Sequence, residues 1–209
     1  MTITRFQTTT PEAITRPILK LCKEVAGSTE ARFIPVHGET ASASTDAANA
    51  VMQKVARDGG SLQAGWALWQ WADALIEAES HAVWRSPEGE LIDIVARPGN
   101  EQTILFVEDA RQVHGDAAVD RERRALRRDL LVEDFITLGR KQFLLLHNGP
   151  SRDVAGTVDA PTLMRKLAIA QLIVKNMLER GQGGDDPCLC NSGKRYKNCH
   201  GKAVRSLQV

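Results

Sequence analysis

The stretch that decides the fold runs from Ser61 to Asp109, SLQAGWALWQWADALIEAESHAVWRSPEGELIDIVARPGNEQTILFVED. It holds four apolar runs: SLQAGWALWQW (61–71), ALIEAESHAVW (74–84), ELIDIVAR (90–97) and QTILFVED (102–109). SPEG (86–89) and RPGN (97–100) are turn chemistry between them. Strands joined by links this short must be antiparallel, because a parallel return needs a long crossover. The expected fold is therefore α+β: an antiparallel meander sheet with helices on one face.

Upstream, Thr10-Pro11-Glu12 combines a hydroxyl cap, a proline for the first turn and an early acid. It predicts a helix to about Ala26, stopped by Gly27, with Ile14, Ile18, Leu21 and Val25 on one face. RFIPV (32–36) reads as a strand, and Asp46 as the cap of a helix AANAVMQKVARD that Gly59-Gly60 stops.

Downstream, DRERRALRRD (120–129) sets five arginines against three acids. It reads as a solvated helix face laced with i,i+4 pairs. LVEDFITLGRKQFLLLHNG is a helix or a strand that the pattern does not separate. Asp159-Ala160-Pro161 opens a long helix with Leu163, Leu167, Ala170, Val174 and Leu178 as its core stripe, ending at Gly181. GQGGDD (181–186) reads as a flexible linker. The expected organisation is a body over 1–180, with a strand-rich core at about 59–109 and a helical part at about 117–180. The linker 181–186 and a small tail at 187–202 follow it.

Of the 209 residues, 43% are hydrophobic and 25% charged, as in a soluble globular protein. Lys166, Gln171 and Lys175 break the longest apolar helical stretch, so no membrane span is expected. The N-terminal MTITRFQTTTPE lacks the apolar centre of an export signal. Four cysteines are too few for a disulfide scaffold. Together these predict a cytoplasmic protein with reduced thiols. From Pro187 onward Lys194, Arg195, Lys197, Lys202 and Arg205 meet no acid, so a net charge of +1 leaves −4 on residues 1–186. A basic tail on a mildly acidic body suits an interaction appendage.

The tail also holds three of the four cysteines, in PCLCNSGKRYKNCHG (187–201). About twenty residues cannot enclose a hydrophobic core. Cys188, Cys190, Cys199 and His200 form a closed set of three thiolates and an imidazole, which suits one structural zinc ion. Asn191-Ser192-Gly193 reverses the chain so that the second ligand pair returns to the first. Metal binding of this kind contributes on the order of 10–16 kcal/mol in comparable small sites and folds the segment outright. Lys194, Arg195 and Lys197 favour the net negative charge of such a centre.

This stretch closely resembles the SEC-C motif, the zinc-binding tail of the SecA translocase ATPase, which also closes many other bacterial proteins. The resemblance covers about twenty residues and implies zinc at Cys188, Cys190, Cys199 and His200. It also implies a docking role, since the SecA tail docks the chaperone SecB and is associated with ribosome and lipid contact. The motor is absent: no G-x-x-x-x-G-K-[ST] loop occurs. The first expectation is thus an adaptor or docking protein, catalytically silent, whose basic zinc tail meets a protein or ribosome-associated partner.

A second expectation comes from HAVWRSPEGELIDIV (81–95). A three-residue loop at Ser86-Pro87-Glu88 pairs Arg85 with Gly89 and sets His81 opposite Asp93. Opposed side chains on one face touch, and a carboxylate orienting an imidazole is two-thirds of a nucleophilic triad. The arrangement resembles the papain- and transglutaminase-like enzymes, in which a cysteine opens the upstream helix. Here Ala47 or Ala48 stands about there. A hydrolase or acyltransferase with His81 as base and Asp93 orienting it would need Ser42, Ser44, Thr45 or Cys22 as nucleophile. Cys22, beside Leu21 on a helix, reads as a small buried hydrophobe, and His81–Asp93 as a polar pair in a sheet with two apolar faces. Trp66, Trp69, Trp71 and Trp84 read as core. A third expectation, nucleic-acid binding through Arg121–Arg128 and the tail, is opposed by the modest net charge, so no specific nucleic-acid partner is expected.

Overall fold

The computed structural model describes residues 8–40, 47–97, 99, 101–112, 119–149 and 159–207. The chain divides into two compact units, one of Gln7–Arg124 and one containing the residues from Ala125 on.

The first unit is α+β. Helices α1 (Arg16–Ala26) and α2 (Ala47–Asp58) accompany strands β1 (Arg32–Thr40), β2 (Ser61–Trp71), β3 (Leu75–Arg85), β4 (Leu91–Val95), β5 (Thr103–Glu108) and β6 (Glu122–Ala125). The expected antiparallel steps β2–β3 and β3–β4 are present. The sheet is not a meander, however, but a closed barrel. β5 pairs antiparallel with β2 rather than with β4, and β1 fills the gap, antiparallel to β5 and parallel to β4. Short links constrain only consecutive strands; they say nothing of a strand arriving from the N-terminal side.

Closure needs a close approach at β2. Gly65 pairs with both His81 and Glu108, and a Cβ there would run into the Val107 carbonyl oxygen and the Phe106 ring. Inside the barrel, Ile34, Ala67, Trp69, Val83, Leu91, Ile104 and Phe106 pack together. On the outer face, Val51 of α2 packs on Ala82, Trp84, Ile92 and Ile94. Because side chains alternate along a strand, two apolar faces require the unbroken hydrophobic runs seen in the sequence.

Two expectations about elements are corrected. Helix α1 starts at Arg16, with Pro17 rather than Pro11 in its first turn. Thr9 instead bridges Gln70, and Thr10 Oγ1 donates to the Thr103 carbonyl at 2.9 Å. Within DRERRALRRD, residues 122–125 form β6, not a helix. The reason is a pair of carboxylates, Glu77 and Glu79, buried on β3. Arg121 reaches both, at 3.0 and 2.8 Å, and Arg123 reaches Glu77 at 3.3 Å. A spacing of two residues serves an extended chain. Arg124 pairs with Glu24. Carboxylates of their own unit thus engage these arginines.

The second unit is helical: α3 (Leu130–Asn148), α4 (Ala160–Glu179), a 3-10 turn (Tyr196–Asn198) and α5 (His200–Ser206). The ambiguous run is thus helix α3, capped by Asp129, whose side chain accepts from the Leu131 amide at 2.8 Å. Asp159 caps α4 as expected, accepting from Thr162, and Leu163, Leu167, Val174 and Leu178 are buried. Among the described residues no helix is long and apolar enough to cross a membrane.

Candidate metal centre

The tail folds around a reversal. Asn191 and Gly193 both take positive φ, 58° and 70°. Pro187 bridges Arg195, and the Cys188 amide donates to the Lys194 carbonyl. The reversal carries Cys188 and Cys190 back toward Cys199 and His200, and the four donor atoms lie within 4.8 Å of one another. Cys188 Sγ is 3.2 Å from His200 Nδ1, Cys199 Sγ 3.6 Å from the same nitrogen, and Cys190 Sγ 3.5 Å from Cys199 Sγ. The edges of a tetrahedral site built from three sulfurs and one nitrogen are about 3.5–3.8 Å, so the donor set fits one metal ion. All four cysteines are free thiols.

The electrostatics suit thiolate ligands. Hydrogen bonds from the Ser192 side chain and backbone, then from Cys199, bring Cys190 down to about 6. Burial pushes Cys188 up. A bound cation offsets that desolvation by accepting the thiolate directly. With four protein donors there is no open coordination position, as in structural rather than catalytic sites.

Residues 186–202 match the family model of the SEC-C motif. The match falls on the four donors and on the turn that joins them. No solved structure matches the chain, so the resemblance of residues 45–107 to papain-like enzymes gains nothing from known folds.

The SEC-C segment is anchored through Tyr196 and Asp134, to which the sequence reading assigns no role, and through Arg205, which it reads as part of the basic tail. Tyr196, fully buried, donates from Oη to Asp134 Oδ2 of α3 at 2.8 Å, and Arg205 Nη1 donates to the same oxygen at 3.2 Å. Burial raises the Asp134 carboxyl, against the pull of Tyr196 and Arg205. Tyr196 lies within the motif itself. Asp134 gives no signal in the sequence except that an acid in α3 interrupts an apolar helix. Segment 181–186 is hydrogen-bonded along its length: Gln182 N to Met177 O, Gly183 N to Asp186 Oδ2, and Lys197 N to Gly184 O. Arg195 and Lys197 pair with Asp185 at 3.0 and 2.7 Å. Of the tail's basic residues, Lys194 and Lys202 stand exposed, while Arg195, Lys197 and Arg205 are held in ion pairs.

In the barrel, His81 and Asp93 do meet: Nε2 lies 3.1 Å from Oδ1, and neither side chain has exposed surface. The pairing differs from the expected one. Arg85 is level with Leu91, not Gly89, so the hairpin is shifted by two residues. A two-residue shift preserves the face, and His81 and Asp93 become diagonal neighbours. Arg97 closes the group, donating to Asp93 Oδ2 at 2.5 and 3.0 Å, with Nη2 2.9 Å from His81 Nε2 and the guanidinium over the Trp69 ring. Burial acts to raise Asp93, but His81, Arg97 and the Val95 amide outweigh it and hold the carboxyl below its ordinary range. His81 Nδ1 is buried and without a hydrogen-bond partner among the described residues.

Ser42, Ser44 and Thr45 fall outside the described residues. Ala47 opens α2, which packs on the outer face, whereas His81 and Asp93 share the inward parity of Val83 and Leu91. Cys22 is buried on α1, and burial pushes its thiol up to about 11. Trp66, Trp69 and Trp84 are core, each with its indole N–H donated: to Asp109, Glu79 and the Gly59 carbonyl.

Proposed function

We propose that this is a cytoplasmic zinc protein whose SEC-C tail, folded around one structural zinc ion at Cys188, Cys190, Cys199 and His200, serves as an adaptor or docking element. The observation that carries the reading is the closed four-donor set, within 4.8 Å, at the end of a segment with no core of its own. The partner is a protein or a ribosome-associated surface, met through exposed Lys194 and Lys202. We read the barrel as catalytically silent. Complete burial of His81 and Asp93 supports a structural pair, since a general base must reach its substrate.

The test is a paired affinity purification of the intact protein and a Cys188→Ser/Cys190→Ser variant, with metal content read on the same samples. One zinc per chain and a partner lost in the variant support the reading. Identical partners in both samples, or an intact protein without metal, would sink it. An intact phenotype in His81→Ala and Asp93→Ala, with tail variants abolishing it, would sink the hydrolase reading.

A further inference from the structure

One face of α3 grips the SEC-C segment and the residues flanking it, 184–207, at three places. Leu130 lies against Gly184, where an added Cβ would stand 3.0 Å from its Cδ2. One turn on, buried Asp134 takes Tyr196 Oη and Arg205 Nη1. Two turns further, Lys141 Nζ donates to the Val204 carbonyl at 2.9 Å and to that of Leu207, capping the end of α5. Residues 130, 134 and 141 share one helical stripe.

The receiving surface on the tail is equally defined. Arg205 is held by the Lys197 carbonyl at 2.9 Å, and Gly201 lets the Tyr196 ring approach, since a Cβ there would meet it at 2.8 Å. Cys199 and His200 lie in sequence between Tyr196 and Arg205. Fixing those two ligands fixes the spacing of the hydroxyl and the guanidinium that read the carboxylate.

We propose that the metal-loaded tail is a carboxylate-reading module that fits a helix with an acid at one position and a lysine seven residues later, and that α3 of the same chain, through Asp134 and Lys141, is its occupant. Loading of the metal then promotes the covering of α3, as two coupled equilibria. Without the ion, the short tail cannot hold Tyr196 and Arg205 in register, and the α3 stripe is uncovered. The inference rests on the metal reading of the four donors. It also places a constraint on docking: an outside partner using the same face must compete with Asp134.

The test is hydrogen exchange on the full-length, metal-analysed protein, followed over 130–148 and 196–207, for wild type, Asp134→Asn, Tyr196→Phe and Cys190→Ser. Asp134→Asn and Tyr196→Phe are expected to keep one metal per chain. Exchange in both windows should quicken about tenfold or more, as expected when a hydrogen bond to a charged group is lost. Cys190→Ser should lose the metal and quicken the same two windows while 61–108 is unchanged. Wild-type exchange in both Asp134→Asn and Tyr196→Phe would overturn the proposal with the metal reading intact. A metal-free Cys190→Ser chain whose α3 window stays protected would do the same. A wild-type chain without metal would overturn the metal reading itself, and the proposal with it.

Discussion

Tyr196 Oη donates to Asp134 Oδ2 over 2.8 Å, joining residues 62 positions apart. Both are essentially sealed from water. The tail therefore has two sources of order: four metal donors at one place, and a buried polar contact to α3 at another. An unpaired carboxylate as buried as Asp134 would be costly. The contact thus constrains the tail and α3 alike.

The floor of this arrangement is Gly201. A methyl there meets the Tyr196 ring at 2.8 Å and the Arg205 guanidinium at 3.1 Å. Overpacking of this kind costs about 1–3 kcal/mol. Gly201→Ala should keep all four ligands yet bind zinc roughly tenfold or more weakly, since about 1.4 kcal/mol is a factor of ten. Competition against a chromophoric chelator measures this. Unchanged affinity would mean that the ring yields freely.

Much of this is legible in the chain. The end of Ala47–Asp58 follows from its glycine stop and the long helix from its Asp159 cap, signals that act within a few residues; the expected Asp46 cap lies outside the described residues. The metal ligands follow from spacing, because a set of donors running only from Cys188 to His200 is local. What the sequence does not reveal is long-range. Barrel closure depends on β1 lying between β4 and β5, strands far along the chain from it, and no local pattern encodes that pairing. The β6 segment reads as helical because its run of arginines mimics a charged helix face. Only Glu77 and Glu79, 44 and 42 residues from Arg121, make it extended. The His81–Asp93 contact survives a wrong register because a shift of two keeps the same face.

Gly65 tests closure of the barrel. Gly65→Ala would drive its methyl into the Val107 carbonyl and the Phe106 ring, neither of which is free to move in a packed interior. A loss of about 2 kcal/mol or more is expected, seen as a lower urea midpoint by tryptophan fluorescence. A midpoint unchanged from wild type would show that β2 and β5 can separate at no cost.

Cys22 should behave as an inert thiol. With its pKa raised to about 11, only about one molecule in a thousand is thiolate at pH 8, and only the thiolate reacts. Alkylation of zinc-loaded protein should leave Cys22 unmodified on a timescale that labels it fully in urea. Rapid labelling of the native chain would show an accessible thiolate and reopen its claim as a nucleophile.

Asp93 sets the response of the barrel to acid. Its folded-state pKa lies below the ordinary carboxylate value, so the folded state binds the proton less readily than the unfolded chain. The stability it contributes is present above the unfolded value of about 4 and is lost as pH falls through the folded value. Asp93→Asn removes that contribution and strands Arg97 and His81, at a cost of about 3–5 kcal/mol at neutral pH. Urea unfolding from neutral pH down into the acid range should therefore show the two proteins converging as the medium becomes acidic, with the variant's curve the flatter. Parallel curves across that range would mean that the carboxylate titrates alike in the folded and unfolded chains. The His81–Asp93–Arg97 group would then not be the buried charge cluster that its distances describe.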